Sequence, residues 1–373
     1  MKNEVEGAMF YRVIRLLLIV FLSIGLTACT PNNIVNKIEL IQTIGFDTSR
    51  TGVKSTVLVS RYMEKGQPDL QLLDTESNSI YDTVPRLNTK TPQPIEYGQL
   101  RMVLFGKHFS ENGVSNELES LIRDPKISSR LQLAVADRDA SELMEIIRKS
   151  KKPYFLSDMI EQNMKSGNVP SSNLHTSLFN FYGEGRDMFL PRVTVERGNV
   201  KIDGLVLFRN DKKAAEIDIK DTFLLKMLIE DSKGGSYMVP LESILADSKP
   251  NEFILVNSIH SKAKYSINST NLVPTVSIHL RMQVSVTDIT SRIDLMSQET
   301  LLELEKNMGL FFQSKASALL SFCKKNHVDP IGLGDFIRSR STQWNAEHYN
   351  EIYSELTTNV SVEVKIVNTG TGE

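Results

Sequence analysis

Residue type and spacing commit to a reaction at one place, Leu26-Thr27-Ala28-Cys29. Arg12 and Arg15 form a positive flank, residues 16–26 an apolar core, and these four residues follow at once, which is the order of a secretory leader ending in a lipobox. Small Thr27 and Ala28 suit a narrow peptidase pocket, Leu26 suits the apolar subsite before it, and only a thiol accepts diacylglycerol as a thioether. An apolar run of about ten residues is well short of the roughly 20 that span a bilayer, so the segment reads as a leader rather than an anchor. The expectation is a signal peptide over residues 1–28, removed to leave Cys29 as a lipidated N-terminus, with N-acylation as an optional further step. Glu4 and Glu6 are unusual in a leader's basic region, and Met9 offers an alternative start. One acyl chain holds a protein weakly, whereas two, at about 0.8 kcal/mol per buried methylene, make release slow.

The other reactive side chains form no recognisable set. None of the six histidines, His108, His175, His260, His279, His327 and His348, has a second histidine or cysteine at metal-ligand spacing. HExxH, paired CxxC, the EF-hand loop, a GxSxG elbow, a P-loop and a dinucleotide fingerprint are all missing from the sequence. Lys233-Gly234-Gly235 reads as a hairpin turn, because no phosphate-binding helix with Lys and Ser or Thr follows it. Glu303 and Glu305 read as solvated charges on a helix surface, and His279 as a solvent-facing strand residue. The expectation is no catalytic residue, no metal and no cofactor beyond the lipid on Cys29. A carboxylate dyad assembled from distant residues stays open as an alternative.

Composition narrows the class. Loss of the leader removes Lys2, Arg12, Arg15, Glu4 and Glu6, so 43 Lys and Arg become 40, 45 Asp and Glu become 43, and the formal balance is −3. That balance leaves no basic footprint for nucleic acid. Once Cys29 is acylated, Cys323 is the only remaining thiol, so an exported chain has no internal disulfide and must be held by packing. About 345 residues suffice for several ordinary cores.

Hydrophobic periodicity then supplies the elements. Residues 30–37 read as a polar tether. Residues 38–46 and 53–62 read as two strands around a turn with Asp47, Ser49 and Gly52. Residues 64–94, with four prolines, read as mostly loop, apart from a helical face at 80–87. Apolar strands at 100–105 and 131–136 flank a helix at 114–123, which makes an α/β unit, and helices follow at 141–148 and 154–164. Gly183, Gly185 and Pro191 mark the best domain boundary. Beyond it come a hairpin of 200–208 with 215–219, a short helix around Phe223 and Met227, and two long strands. In the second of these Val276, Ile278, Leu280, Met282, Val284 and Val286 alternate without error, and Ile259, Ala263, Tyr265 and Ile267 nearly do so in the first. Leu301, Leu304, Met308, Phe311, Ala316, Leu319 and Phe322 stripe a long helix over 297–325, interrupted near Gly309, which covers the sheet and holds Cys323 in the core. Helices starting at Asp329-Pro330 and Trp344, a strand carrying Val360, Val362, Val364 and Ile366, and a frayed end at 370–373 complete the chain.

These pieces, in this order behind a lipobox, resemble the GerAC-like, or Ger(x)C, lipoproteins, C subunits of spore nutrient germinant receptors. The resemblance rests on Ile44-Gly45-Phe46-Asp47, on 100–106 followed by Asn112-Gly113-Val114, and on Arg123-Asp124-Pro125 before the strand ending in Val135-Ala136. In the second half it rests on Asp203-Gly204-Leu205-Val206-Leu207-Phe208 and on Asp329-Pro330-Ile331-Gly332-Leu333-Gly334 with Trp344. Two departures stand out: only Ile38-Glu39 survives of the family's charged start, and Gln99 occupies a position where many members have histidine.

The resemblance implies an α+β, multidomain fold of three parts, with mixed and antiparallel sheets covered by helices. The expected division is 38–195 as an N-terminal α/β region and 198–368 as a C-terminal α+β region. The latter would comprise a small sheet subdomain at 200–245 and an antiparallel sheet with long helices at 250–368. It also implies a non-catalytic subunit for receptor assembly or signalling in the spore inner membrane, body on the outer face, beside multi-span A and B subunits. Two other classes compete: a solute-binding lipoprotein of a transporter, which needs two α/β lobes around a cleft, and a cortex-acting hydrolase, which needs two placed carboxylates. Substituting Cys29→Ala is expected to release the chain from the membrane fraction. Mass spectrometry of the native N-terminal peptide is expected to find an acylated Cys29, and an unmodified sulfur or a retained leader would contradict the expectation.

Overall fold

In the computed structural model the described residues are 15, 38–61, 69–246, 248–268, 274–291, 293–341 and 344–369. Leu26, Thr27, Ala28, Cys29, the tether at 30–37 and the end at 370–373 lie outside them. In chain order the first half runs β1 (Glu39–Ser49), β2 (Gly52–Arg61), β3 (Asp69–Ser77), α1 (Thr83–Asn88), β4 (Ile95–Glu96), β5 (Met102–Phe105), α2 (Lys107–Asn112), α3 (Ser115–Arg123), β6 (Gln132–Ala136), α4 (Ala140–Lys149), α5 (Phe155–Lys165) and α6 (Leu174–Tyr182). The second half runs β7 (Phe189–Glu196), β8 (Asn199–Arg209), β9 (Lys212–Ile217), α7 (Ile219–Ile229), β10 (Ser236–Pro240), β11 (Phe253–Asn268), β12 (Thr275–Ile289), α8 (Gln298–Lys325), α9 (Leu333–Arg338), α10 (Ala346–Ile352) and β13 (Thr357–Asn368). No helix among the described residues is long and apolar enough to cross a membrane.

The strands form two sheets, so the architecture is α+β with mixed pairing. Nine strands make the first, in the order β3-β2-β1-β5-β6-β7-β8-β9, with β4 paired to β1. β1, β5, β6 and β7 run parallel, as does the short β4 on β1, whereas β2, β3, β8 and β9 pair antiparallel. The second sheet is β10-β11-β12-β13. Its last strand is parallel to β12, because α8 carries the chain back across the buried face, so the sheet expected to be antiparallel is mixed. The strands expected as a small separate sheet within 200–245 are divided: β8 and β9 close the first sheet and β10 opens the second. The boundary marked between 195 and 198 is the β7-β8 turn inside one continuous sheet.

Other local expectations change for identifiable reasons. The loop expected over 64–94 contains β3, whose polar outward face hides it from a periodicity search, paired along β2 from Val53 to Arg61. Gly234 and Gly235 join a helix to a strand and pack backbone to backbone on Gly167, so they are not a hairpin turn. A bulge between Ser258 and His260 turns Ile259 to solvent, and Ile254 and Val256 fill the core instead. The long helix is unbroken at Gly309, where the missing side chain lets it lie against the Val362 carbonyl of β13. Phe322, expected on its buried stripe, is 38% exposed, while Cys323 is fully buried. Glu305 is not a free surface charge, since it accepts the Ile366 N–H at 2.8 Å and pairs with Lys365 at 3.1 Å, satisfying the open edge of β13.

Asp47 illustrates how a motif residue builds the first sheet. It ends the apolar run of β1 buried, and its two carboxylate oxygens accept the N–H groups of Ala140 at 2.6 Å and Ser141 at 2.9 Å. It thereby caps α4 from 93 residues away, satisfying donors a helix start leaves open. Gly106 stands against it because a Cβ there would overlap Asp47 Oδ1. Burial raises the carboxyl's pKa and the Ser141 and Ala140 N–H bonds oppose that rise. Asp47→Ala is expected to cost about 1.5–3 kcal/mol, the range for buried hydrogen bonds to a charged group. The check is a lower urea midpoint at unchanged slope; an unchanged midpoint would show that the cap contributes nothing.

Candidate functional site

The residues able to do chemistry remain scattered in the fold. His108 pairs with Glu111 at 3.0 Å, His279 bonds Ser361 at 2.9 Å, and His348 lies 3.8 Å from Glu351, all on the surface. No group of three or more metal-binding side chains occurs among the described residues. Burial pushes the Cys323 thiol well above its ordinary pKa, which makes it a core residue rather than a nucleophile.

Polar groups do converge where the segment before β7 meets the segment after α8. Asp329 is 3% exposed. Its Oδ1 accepts the N–H groups of Gly332 at 2.9 Å and Leu333 at 3.0 Å, and its Oδ2 accepts the Gly334 N–H at 2.9 Å and the Tyr349 hydroxyl at 2.8 Å. A reciprocal pair then crosses the junction: the Asp329 N–H donates to Asp187 Oδ2 at 2.7 Å, and the Asp187 N–H donates to the Asp329 carbonyl at 2.8 Å. Arg209, at the end of β8, lies 3.8 Å from Asp187 and donates to the His327 carbonyl at 2.6 Å. Around this centre the Asp335 N–H donates to the Gly185 carbonyl at 2.9 Å, Arg186 pairs with Asp335, and Trp344 Nε1 donates to Glu184 at 2.7 Å. Gly185 and Gly334 touch backbone to backbone, and a Cβ on either would enter the other.

A second contact lies further along the two halves. The buried Lys226 of α7 donates to the carbonyls of Met164 at 3.3 Å and Val169 at 2.9 Å and pairs with Glu230 at 2.7 Å. All three ammonium hydrogens are thereby used.

Two carboxylates beside a cleft of about 190 Å³ lined by Arg209, Tyr349 and Asn350 invite an acid–base reading. The geometry argues against it. All four lone-pair positions of Asp329 are occupied by protein donors, so none is left to take a proton from water. Burial pushes Asp187 up to about 6, opposed by the Asp329 N–H bond and the Arg209 charge and assisted by the Asp329 carboxylate. The arrangement clamps two segments of chain.

The sequence block from Asp329 to Gly334 with Trp344 thus marks a clamp, which spacing alone did not disclose. Asp187 and Arg209 escaped notice as single charges beside glycines and at a strand end. The available signal was an aspartate three residues before a glycine and a short helix, the pattern of a cap.

Comparison with known proteins gives a consistent result. Residues 32–195 match the family described as "Spore germination protein N-terminal domain", and residues 203–370 match "Spore germination B3/GerAC like, C-terminal". The chain is 28% identical over 363 residues to the spore germination protein GerQC of Bacillus cereus, covering 96% of this chain and 99% of that one. It is 19% identical over 302 residues to the putative spore germination protein YfkR of Bacillus subtilis (strain 168), covering 76% and 74%. The crystal structure of the GerBC protein has a similar fold, with a TM-score of 0.57 and 17% identity, covering 87% of this chain and 97% of that one.

The raised Asp187 carboxyl gives the clamp a pH signature. The folded protein holds this proton up to about pH 6, whereas the unfolded chain releases it near pH 3.9, so its contribution favours the fold at acid pH and is lost as pH rises through the folded value. Urea midpoints between pH 4 and 7 are expected to fall more steeply for wild type than for Asp187→Asn. Glu117, pushed to about 7 by burial, titrates in both proteins and cancels in the difference. Parallel profiles would contradict the assignment.

Proposed function

Because the chain belongs to the GerAC-like family of spore germination proteins, matched in both its N- and C-terminal domains, we propose that it is a non-catalytic, lipid-anchored subunit of a spore nutrient germinant receptor, needed for receptor assembly or signalling. In this reading Cys29 carries diacylglycerol, the body stands on the outer face of the spore inner membrane, and multi-span A and B subunits are its neighbours. The observation that carries the reading is the match to GerQC along nearly the whole of both chains. The geometry supports it from another side, since the Asp187–Asp329 pair is consumed in joining segments. A part whose task is to hold its neighbours in position needs such internal joints and no turnover chemistry.

Spores lacking this chain are expected to lose their response to the nutrient that drives their receptor, and the wild-type chain supplied in trans to restore it. Cys29→Ala is expected to restore it poorly. A tagged chain solubilised in mild detergent should retain multi-span partners through affinity purification. Full nutrient response in the deletion strain, or release of peptidoglycan fragments by the purified chain, would contradict the proposal.

A further inference from the structure

A cleft of about 820 Å³, used by nothing described above, opens at the amino ends of β5 and β6 and is walled by α5 and the segment before α6. Arg101, Arg130 and Lys165 are its cations, and different elements place them. The Arg101 N–H donates to the Gln42 carbonyl at 3.0 Å and the Gln132 N–H donates to the Arg101 carbonyl at 2.9 Å, which fixes Arg101 at the entry to β5, while Arg130 stands in the turn before β6 with its N–H donating to Ser128 Oγ at 3.2 Å. Both side chains line this one cleft, and with adjacent strands about 4.8 Å apart their long arms are within reach of a single ligand.

Arg101 is held in place by aromatic contact. Its guanidinium carbon lies 4.2 Å from the centre of the Tyr154 ring, and the Tyr154 hydroxyl donates to Gln99 Oε1 at 2.5 Å. Neither Arg101 nor Arg130 forms an ion pair among the described residues. Glu161, the acid in the cleft wall, is paired with Lys165 at 2.6 Å and feels Arg101 only at longer range. Gln132 also lines the cleft, and its Oε1 is a buried acceptor with no hydrogen-bond partner among the described residues. Such a group costs stability unless something donates to it.

The cleft also has a position relative to the chain's origin. β1 runs parallel to β5, and the Glu39 N–H donates to the Pro94 carbonyl at 2.8 Å, so the chain arriving from Cys29 enters the body at this same pole. The roughly ten residues between Cys29 and Glu39 span at most about 35 Å even when extended.

We propose that this cleft binds an oxyanion of phosphate or carboxylate chemistry, with Arg101 and Arg130 as its donors and Gln132 Oε1 accepting a hydroxyl or amine hydrogen of the same molecule. Two sources carry that chemistry, the headgroup of an anionic phospholipid and a free solute. The lipid source rests on the anchoring proposed above and the solute source does not.

The test is thermal unfolding of the full chain purified in an uncharged maltoside detergent. The additions are inorganic phosphate, malate, or micelles doped with phosphatidylglycerol, each against sodium chloride at equal ionic strength or phosphatidylcholine. At about tenfold excess over the dissociation constant, a rise of about 2 °C is expected in wild type with at least one source. It should vanish in the double variant Arg101→Gln, Arg130→Gln, whose surface substitutions leave the core intact. A rise with phosphatidylglycerol alone assigns the headgroup, and a rise with phosphate or malate alone assigns a free solute. No rise with any source, or an equal rise in the double variant, overturns the proposal. Gln132→Leu separates a ligand role from a structural one: unliganded stability should hold or increase while the ligand-induced rise shrinks, and a loss of unliganded stability overturns the role given to Gln132. The mass of the Cys29 peptide is read on the same sample, so failure of anchoring and failure of the cleft are told apart.

Discussion

Everything in this molecule depends on β8, a strand whose alternate residues are buried in two different cores. Leu205 and Leu207 enter the core shared with α7, α8 and the second sheet, whereas Val206 and Phe208 enter the core on the opposite face with β1, β5 and α3. All four are fully buried. Side chains of this kind contribute about 1.5–3 kcal/mol each on full burial, so neither core tolerates slippage of the strand, and a shift by one residue would exchange the two sets. Gly204, at φ +133°, lets β8 bend against the Ile217 carbonyl where a side chain has no room.

Two polar joints accompany that strand, the Asp187–Asp329 clamp and the Lys226 contact with the turn after α5. Domains joined by exposed linkers move against each other by default. Here relative motion would break strand pairing, expose apolar side chains and strip hydrogen bonds from buried charges, each costly in a low-dielectric interior. Under the proposed function, force or position received at the pole near β1 is felt at α8 and β13 without a flexible joint between them.

Much of this was legible in the sequence because period-two and helical patterns report burial directly. The alternation from Val276 to Val286 and the stripe through Leu304, Met308 and Phe311 sit where expected, and Cys323 is in the core. What was not legible depends on partners distant in sequence. Nothing local tells β13 to run parallel to β12, nothing marks Asp47 as the cap of a helix 93 residues away, and a bulge at Ile259 is invisible until its partner strand is known. The same holds for the packing of Gly185, which lies in the stretch read as a break between domains. Its backbone draws close to Gly334 to make a joint, and a glycine that opens a chain and one that admits a neighbour look alike in sequence. The cleft lined by Arg101, Arg130 and Gln132 was equally hidden, since its side chains come from separate strands and a helix.

The two sheets are therefore expected to unfold as one cooperative unit through β8 and its joints. Trp344, the single tryptophan, donates to Glu184 across the clamp and so reports it by emission. Equilibrium unfolding in urea followed by Trp344 emission and by far-ultraviolet circular dichroism tests the claim most directly. Superimposable single transitions are predicted. A Trp344 transition at lower urea than the loss of secondary structure, or two resolved steps in the dichroism, would show that the halves are separate bodies and would contradict the account.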